Sequence, residues 1–391
     1  MDIFGAEDMS FIQNPENTLP SLRHGMEFFD GIELDVRFTH DEGLILHHDR
    51  TLMASAKHHK NGVRFVEEYD LDELTSIGFT SFQQFISDPM IQHQWKNENK
   101  MVCIEIKRPH PSSSLGGGIW GKEQHIQHVA QCIQEIDALL EEHEIPHASV
   151  MYYSFHKHMK QSIQRSETPH HWASLIPYIV PFGQRRFQRG KAFPAFLGTS
   201  FSRLVKKHHG QGASILPCAM EYLKPSTNWI PIGRSVGLQG TPLKRLHRYR
   251  RGMPVYVWPV KSRVEHDVLS AGLSALTDDA DPQLTWLQSG HARWTHPGTQ
   301  PLLHEEKEIL NAVTFEHHLE FVSELKESTP PWREMDRSKK VQILDEWAKA
   351  WNLSQKAVEL AKGRMDEDIP LFAPRLIGHR GSGKTGSIVI P

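Results

Sequence analysis

Cysteine is scarce in this chain of 391 residues, which has only three: Cys103, Cys132 and Cys218. They show neither metal-site spacing nor the even number of a disulfide framework, so we expect free thiols in a reducing compartment. An excess of one charge is also lacking, because 44 Lys and Arg against 47 Asp and Glu give a formal net charge of −3. That balance argues against bulk nucleic-acid binding.

Long apolar runs are absent as well. No stretch approaches the roughly 18 apolar residues that a membrane helix needs, and residues 1–9 lack a basic region followed by an apolar one. We therefore expect no transmembrane segment and a cytoplasmic location. With 26 histidines in the chain, a single histidine is weak evidence for a site.

The most informative stretch is residues 33–49, in which two short apolar runs flank a turn. Glu33 and Asp35 are two residues apart in the first run, so a strand would point both carboxylates to the same side. Paired carboxylates repel each other unless a cation holds them, and oxygen ligands suit Mg²⁺ or Ca²⁺. The second run leads into residues that can bind metal or move protons: His47, His48 and Asp49. Taken alone, these residues fit a solvated hairpin equally well.

Other short motifs accompany this stretch. In chain order the set is Pro15-Glu16-Asn17-Thr18, Glu33-Leu34-Asp35, His48-Asp49, Glu105-Ile106-Lys107 and His379-Arg380-Gly381. Together they resemble the glycerophosphodiester phosphodiesterase family, whose pattern is HRG, PENT, ExD, HD and ExK. Further strand ends resemble the family at Ser154-Phe155, Trp258 and Thr277-Asp278, with Pro259 in place of the usual Thr. In the family HRG opens the domain, whereas here it closes the chain.

Strand-like and helix-like segments alternate over residues 32–277, which predicts parallel strands joined by right-handed crossovers. The spacing predicts one helix over residues 70–85 and a longer one over residues 123–144. We count seven strands up to residue 277, and residues 375–378 give an eighth, the number that closes a (β/α)8 TIM barrel. In a closed barrel the first strand neighbours the second and the last, so either chain end can supply it. The chain therefore looks circularly permuted, with barrel strand 1 at its C-terminus.

Three regions follow from this interpretation. They are residues 1–284 as the phosphodiesterase barrel with strands 2–8, residues 285–370 as a helical appendage, and residues 371–391 as strand 1 with the HRG motif. The appendage shows one helical pattern over residues 310–325 and a second that opens near Asp336 or Ser338. A short third helix would be capped by Ser354. Structural packing is the expected role of this region.

The resemblance implies metal-assisted hydrolysis of a glycerophosphodiester to glycerol 3-phosphate and an alcohol. The ligands of one divalent cation, Mg²⁺ or Ca²⁺, would be Glu33, Asp35 and Glu105. His379 and His48 would form the acid–base pair, each with an ordinary pKa near ~6.5. His47 alternates to the opposite side of its strand and would be structural.

Further groups would hold the substrate. Arg380 would make a bidentate contact to the phosphate, and Lys107 would add a second cation. Glu16 and Asn17 would brace Arg380 and the metal ligands, as the resemblance implies. Trp258 would stack on the glycerol moiety, with barrel packing as the alternative.

Several alternatives stay open. Phospholipase D-like or sphingomyelinase D-like cleavage of lysolipids on the same barrel would give a cyclic phosphate. The motif Gly378-His-Arg-Gly-Ser-Gly383-Lys384-Thr385 matches a nucleotide-binding P-loop, but the β-biased residues after it do not predict the helix that a P-loop needs. The rearranged chain could also be an inactive scaffold. Basic residues 183–212 would either attract an anionic substrate or form a solvated insertion.

Overall fold

The structure, a computed structural model, describes residues 12–52, 65–115, 121–176, 199–223 and 236–383. Its strands are β1 (Gly31–Phe38), β2 (Leu44–Leu46), β3 (Met101–Ile106), β4 (Val150–Ser154), β5 (His171–Ser174), β6 (Leu216–Ala219), β7 (Val255–Val260), β8 (Ser274–Thr277) and β9 (Leu376–Gly378). Every residue of β1 and β3 is buried, as expected for strands that are covered on both faces.

Eight of these strands pair in parallel in the order β5-β4-β3-β1-β9-β8-β7-β6. The two outer strands approach each other where Ser214 donates a backbone hydrogen bond to Trp172 at 2.9 Å, so the sheet is a nearly closed barrel. Helices connect consecutive strands, and the architecture is that of a (β/α)8 barrel, as predicted. Strand β2 lies outside this set and pairs with β1 in antiparallel fashion.

Strand β9, the last strand of the described chain, closes the barrel by lying between β1 and β8. Gly378 of β9 pairs with Ile32 of β1 and with Thr277 of β8. The prediction that residues 375–378 supply a barrel strand is therefore confirmed, while the circular permutation stays a prediction. A circular permutation predicts that the two chain termini lie close together, but Met1 and Pro391 fall outside the described residues.

Helices accompany the strands along the chain. Within the described ranges they are α1 (Leu19–Phe28), α2 (Leu71–Ser76), α3 (Phe82–Ile86), α4 (Pro89–Asn97), α5 (Lys122–Glu142), α6 (Met159–Ser166), α7 (Phe201–Gln211), α8 (Gly240–Arg250), α9 (Ser262–Ser270), α10 (His304–Ala312), α11 (His318–Ser328), α12 (Arg337–Trp351) and α13 (Gln355–Arg364). None of the helices in these ranges is long and apolar enough to span a membrane.

Two helix predictions were wrong in extent. Residues 70–85 form two helices, α2 and α3, because Gly78 adopts a φ of +96° and Ser81 caps a new helix. The pattern over residues 310–325 is likewise divided, since Val313 leaves the helical region with a ψ of 143° and ends α10. The predicted helix over residues 123–144 corresponds to α5.

Other boundaries follow the sequence more closely. The Ser354 hydroxyl accepts a hydrogen bond from the Ala357 backbone N–H at 3.3 Å, so the predicted cap of α13 is confirmed. The fifth of the seven strands counted in the sequence is predicted at residues 174–180. Strand β5 begins earlier, at His171, and ends at Ser174, and residues 177–180 fall outside the described part. Of the basic segment, residues 185–191 also lie outside it, whereas Lys206 and Lys207 belong to α7.

Helices α10 to α13 form a layer outside the barrel. Their core contains Trp332 and Trp347, whose rings stack with centroids 6.2 Å apart, and the neighbouring Trp351. Trp351 packs on Gly272, which precedes β8 and has a φ of +67°. A β-carbon on Gly272 would lie 2.3 Å from the Trp351 ring, so glycine is required for this contact.

Candidate active site

The three predicted metal ligands meet at the C-terminal end of the barrel. Glu33 and Asp35 lie on β1, and Asp35 pairs in register with Glu105 of the adjacent β3. Because alternate residues of a strand share a face, all three carboxylates point into the barrel. One oxygen from each lies within 4.8 Å of the others, and all three side chains are buried. Barrels of this type place their chemistry at this end.

Burial of these carboxylates is electrostatically costly. Desolvation, with repulsion from Asp35 and Glu105, raises the pKa of Glu33 well above its usual range. Burial also raises the pKa of Glu105. Burial alone would raise the pKa of Asp35 too, but Lys107, His48 and Arg380 hold it below its usual value. The nearby positive charges thus offset only part of the negative charge that these buried carboxylates carry when ionised.

Two cations contact the cluster. The Lys107 ammonium lies 2.7 Å from Asp35 Oδ1 and 2.5 Å from Glu105 Oε1. The Arg380 backbone N–H donates to Glu33 Oε2 at 3.0 Å, and its guanidinium pairs with Glu16 at 2.8 Å. Arg380 has a φ of +56°, which turns the chain back over the barrel directly after β9.

Asn17 ties the N-terminal segment to the same cluster. Its side-chain amide donates to Asp35 Oδ2 at 2.9 Å and accepts from the Asp35 backbone N–H at 3.0 Å. Its own backbone N–H donates to the Arg380 carbonyl at 3.1 Å. The left-handed backbone of Asn17, with a φ of +60°, allows its side chain and its backbone N–H to make these hydrogen bonds at the same time. Glu16 and Asn17 therefore contact Arg380 and the carboxylates from one side.

His379 has a carboxylate partner that sequence reasoning did not assign. Its Nδ1 lies 2.6 Å from Asp278 Oδ1, and its Nε2 lies 3.7 Å from Glu33 Oε2. Asp278 also pairs with Lys261 at 3.1 Å. Burial lowers the pKa of His379, and Asp278 opposes that shift. The signal for this partner in the sequence is the Thr277-Asp278 strand end.

His48 enters the site from the hairpin of β1 and β2. Its Nδ1 lies 2.8 Å from Asp49 Oδ1. Burial, together with the positive charges of Lys107 and Arg380, holds the pKa of His48 well below its usual range. The ordinary pKa values expected for the two histidines are therefore wrong. His47 is buried, has a pKa of about 4 because of that burial, and packs edge-on to the Phe79 ring at 5.1 Å.

Arg37 holds this hairpin in place and was missed. Its guanidinium donates to the backbone carbonyls of His47, at 3.2 Å, and His48, at 2.9 Å. A third donor pairs with the buried Glu67 carboxylate at 3.0 Å. In the sequence Arg37 looks like any charged strand residue, and only the fold brings Glu67 to it.

The part of the barrel mouth away from the carboxylate cluster is aromatic. Trp258 of β7 is half-buried and meets the Phe155 ring, just after β4, edge-to-face with centroids 5.7 Å apart. The site thus has a charged side, formed by β8, β9, β1 and β3, and an aromatic side. Of the P-loop match, Lys384 and Thr385 lie outside the described residues, while His379 and Arg380 face the carboxylates.

Two sequence comparisons match part of the chain to known proteins. The sequence model of the glycerophosphoryl diester phosphodiesterase family matches residues 10–193, which include β1, β3 and the hairpin. The matched residues make up somewhat less than half of the chain. A glycerophosphodiester phosphodiesterase of Caldanaerobacter subterraneus subsp. tengcongensis is 39% identical over 101 residues, 24% of this chain. That alignment spans 40% of the relative's length.

Solved structures of glycerophosphodiester phosphodiesterases are also similar. One from Thermotoga maritima has a TM-score of 0.42 and 14% identity, covering 68% of this chain and 89% of its own. A phosphodiesterase from Oleispira antarctica was solved with the product sn-glycerol-3-phosphate. It has a TM-score of 0.40 and 14% identity, and the match covers 68% of this chain and 88% of its own.

Proposed function

We propose that this protein is a metal-dependent glycerophosphodiester phosphodiesterase, which hydrolyses its substrate to glycerol 3-phosphate and an alcohol. The observation that carries the proposal is the set of three buried carboxylates, Glu33, Asp35 and Glu105, whose ligand oxygens lie within 4.8 Å of one another. All three lie in the segment that matches the family model. The fold brings Lys107, Arg380, His48 and His379 to the same cluster.

The residues present fit one divalent cation. Four carboxylates contact one another or the two cations, namely Glu16, Glu33, Asp35 and Glu105, whereas Lys107 and Arg380 supply two positive charges. The excess of negative charge equals the charge of Mg²⁺ or Ca²⁺, and carboxylate oxygens are the ligands that both ions prefer. A bound cation would favour the ionised form of Glu33 and Glu105, whose pKa values burial raises.

Within this site the cation would neutralise non-bridging phosphate oxygens. Arg380 and Lys107 supply further positive charge from opposite sides, β9 and β3. The planar guanidinium of Arg380 suits bidentate phosphate contacts, and Glu16 orients it. Lys107 bridges Asp35 and Glu105 and can turn toward a bound phosphate.

The two histidines would move protons. The ionised Asp278 carboxylate can only accept a hydrogen bond, so the proton of neutral His379 lies on Nδ1 and its Nε2 lone pair faces the site. Asp49 orients His48 in the same way. One imidazole would accept a proton from the nucleophile and the other would protonate the leaving alcohol. A bound phosphate anion would raise the pKa of the histidine that carries the proton.

Trp258 and Phe155 would contact the apolar face of the glycerol moiety. We also propose the regional division given above: residues 1–284 and 371–391 as the barrel unit and residues 285–370 as the appendage. The three cysteines are free and buried, which favours a reducing compartment such as the cytoplasm.

The test is product identification. The purified protein is incubated with glycerophosphocholine and Mg²⁺ or Ca²⁺, and the phosphorus products are followed by ³¹P NMR. Glycerol 3-phosphate and choline are expected. A cyclic phosphate would instead indicate the phospholipase D-like route, and no conversion of any glycerophosphodiester would contradict the proposal.

A further inference from the structure

Tyr153 lies beside the carboxylate cluster on the strand that follows Glu105 in the barrel. It pairs in register with Glu105 of β3 and with Ala173 of β5. Since cross-strand neighbours of this kind share a face, the Tyr153 side chain points into the barrel, where it packs with Cys103 and Met151. Its side chain is 4% exposed.

The Tyr153 hydroxyl is buried, and within the described parts of the chain it has no hydrogen-bond partner. Buried hydroxyl groups are ordinarily paired, so an unpaired one requires an explanation. The neighbouring Tyr152 shows the ordinary case, because it faces the outside of the barrel and its hydroxyl donates to Asp137 at 2.6 Å.

The surroundings of this hydroxyl define what can pair with it. A tyrosine phenol has an ordinary pKa near ~10 and so keeps its proton at neutral pH. Burial beside the carboxylates of Glu33 and Glu105 raises the pKa of Tyr153 further. The missing partner is therefore an acceptor. In the proposed reaction the acceptors that reach the cation-binding carboxylates are phosphate oxygens.

We propose that the Tyr153 hydroxyl donates a hydrogen bond to a non-bridging oxygen of the substrate phosphate and so positions the phosphodiester, an inference that rests on the proposed phosphodiesterase function. Arg380 of the β9 end and Lys107 of the β3 end contact the carboxylates from two directions. Tyr153 adds a neutral donor from β4. A neutral donor can hold a phosphate oxygen without withdrawing charge from the carboxylates that bind the cation.

Tyr153→Phe tests the inference, because it removes one oxygen atom and keeps the ring. Tyr152→Phe is the matched control, with the same change one residue away on the other face. Three quantities are measured on the full chain with Mg²⁺: kcat/KM for glycerophosphocholine, the Tm without ligand, and the rise in Tm caused by inorganic phosphate and by glycerol 3-phosphate.

For Tyr153→Phe we expect kcat/KM to fall about 10–10²-fold, since a preorganised donor to the reacting group is lost. Both ligands should raise its Tm less than that of the wild type, while its Tm without ligand should be equal or higher because no partner is lost. Tyr152→Phe should show the reverse pattern. Its Tm without ligand should be lower than that of the wild type, because Asp137 loses its hydrogen-bond donor, while kcat/KM and the ligand-induced rises in Tm should be unchanged.

The inference is overturned if Tyr153→Phe keeps the wild-type kcat/KM and ligand-induced rises in Tm. It is also overturned if only the response to glycerol 3-phosphate falls, because the contact would then be to the glycerol moiety. Failure of the proposed function gives a separate result. The wild type then shows no turnover, while inorganic phosphate still raises the Tm of the wild type and raises that of Tyr153→Phe less. A wild type whose Tm neither ligand changes would contradict the inference directly.

Discussion

His379 and Asp278 are 101 positions apart in the sequence, and their side chains meet at 2.6 Å on neighbouring barrel strands. The contact holds the imidazole proton on Nδ1 and leaves Nε2 directed toward Glu33. Asp278 keeps its charge because His379 and Lys261 hold its pKa below the usual range. A carboxylate with this role sets both the orientation and the proton affinity of the histidine.

Asp278→Asn should move part of the pH–rate profile to lower pH. Burial lowers the pKa of His379 and the Asp278 charge raises it, so removing that charge lowers the pKa further. If His379 is the base, the acidic limb moves to lower pH; if it is the acid, the alkaline limb does. We also expect kcat to fall roughly 10²–10⁴-fold. The measurement is kcat as a function of pH.

Asp279→Asn is the control for that profile. Asp279 lies next to Asp278 but accepts from the Ser262 backbone N–H at 2.5 Å and not from His379. Its profile should keep both limbs in place. An Asp278→Asn profile with unshifted limbs would show that the carboxylate does not act on the histidine.

His48→Ala and His379→Ala should each lower kcat by about 10²–10⁴-fold with a much smaller effect on KM. The double variant should lose less than the product of the two effects, because residues that act as a unit are not additive. Single-substrate kinetics on the four proteins measures this directly. Strictly multiplicative losses would mean that the two histidines do not share one reaction step.

Arg37→Met should destabilise the fold and misplace His48. It leaves the Glu67 carboxylate buried without its partner, a change that typically costs about 3–5 kcal/mol. Arg337→Met is the control, because Arg337 pairs with Asp366 on the surface and such pairs contribute roughly 0–1 kcal/mol. Urea denaturation and kcat are measured for both. Equal losses of stability in the two variants would contradict the role given to Arg37.

The pairing of the Glu33 and Asp35 carboxylates could be predicted, because the alternation of side chains along a strand puts both residues on one face. Strand β9 could be predicted from its apolar run and the HRG motif. The Asp278–His379 and Arg37–Glu67 pairs could not, since each joins residues that only the folded barrel brings together. The break at Gly78 was missed because apolar spacing alone does not show where a left-handed turn interrupts a helix.

The packing of the appendage on the barrel can be tested at Gly272. Gly272→Ala should be strongly destabilising, because its φ of +67° disfavours a side chain and the new methyl would collide with Trp351. Gly252→Ala isolates the backbone effect, since Gly252 has a φ of +80° and nothing within 4 Å of a β-carbon. Thermal denaturation should show a larger loss for Gly272→Ala. Equal losses would mean that Trp351 does not press on this glycine.

Glu33→Gln, Asp35→Asn and Glu105→Gln should each weaken metal binding by at least about 10–100-fold, since even outer-shell groups have effects of that size. Asp88→Asn is the control, because Asp88 is a buried carboxylate that caps α4 and pairs with Arg23 at 2.5 Å. It should lose stability and keep metal affinity. Isothermal titration calorimetry compares the four variants with the wild type.

The proposed function requires that the three carboxylates hold one catalytic cation. The most direct measurement is a titration of the chelator-treated protein with Mg²⁺ or Ca²⁺, in which bound metal and hydrolysis of glycerophosphocholine are followed together. We expect no turnover in the metal-free protein and an activity that rises in proportion to the fraction of sites occupied, up to one ion per chain. Full turnover by the metal-free protein would contradict this expectation.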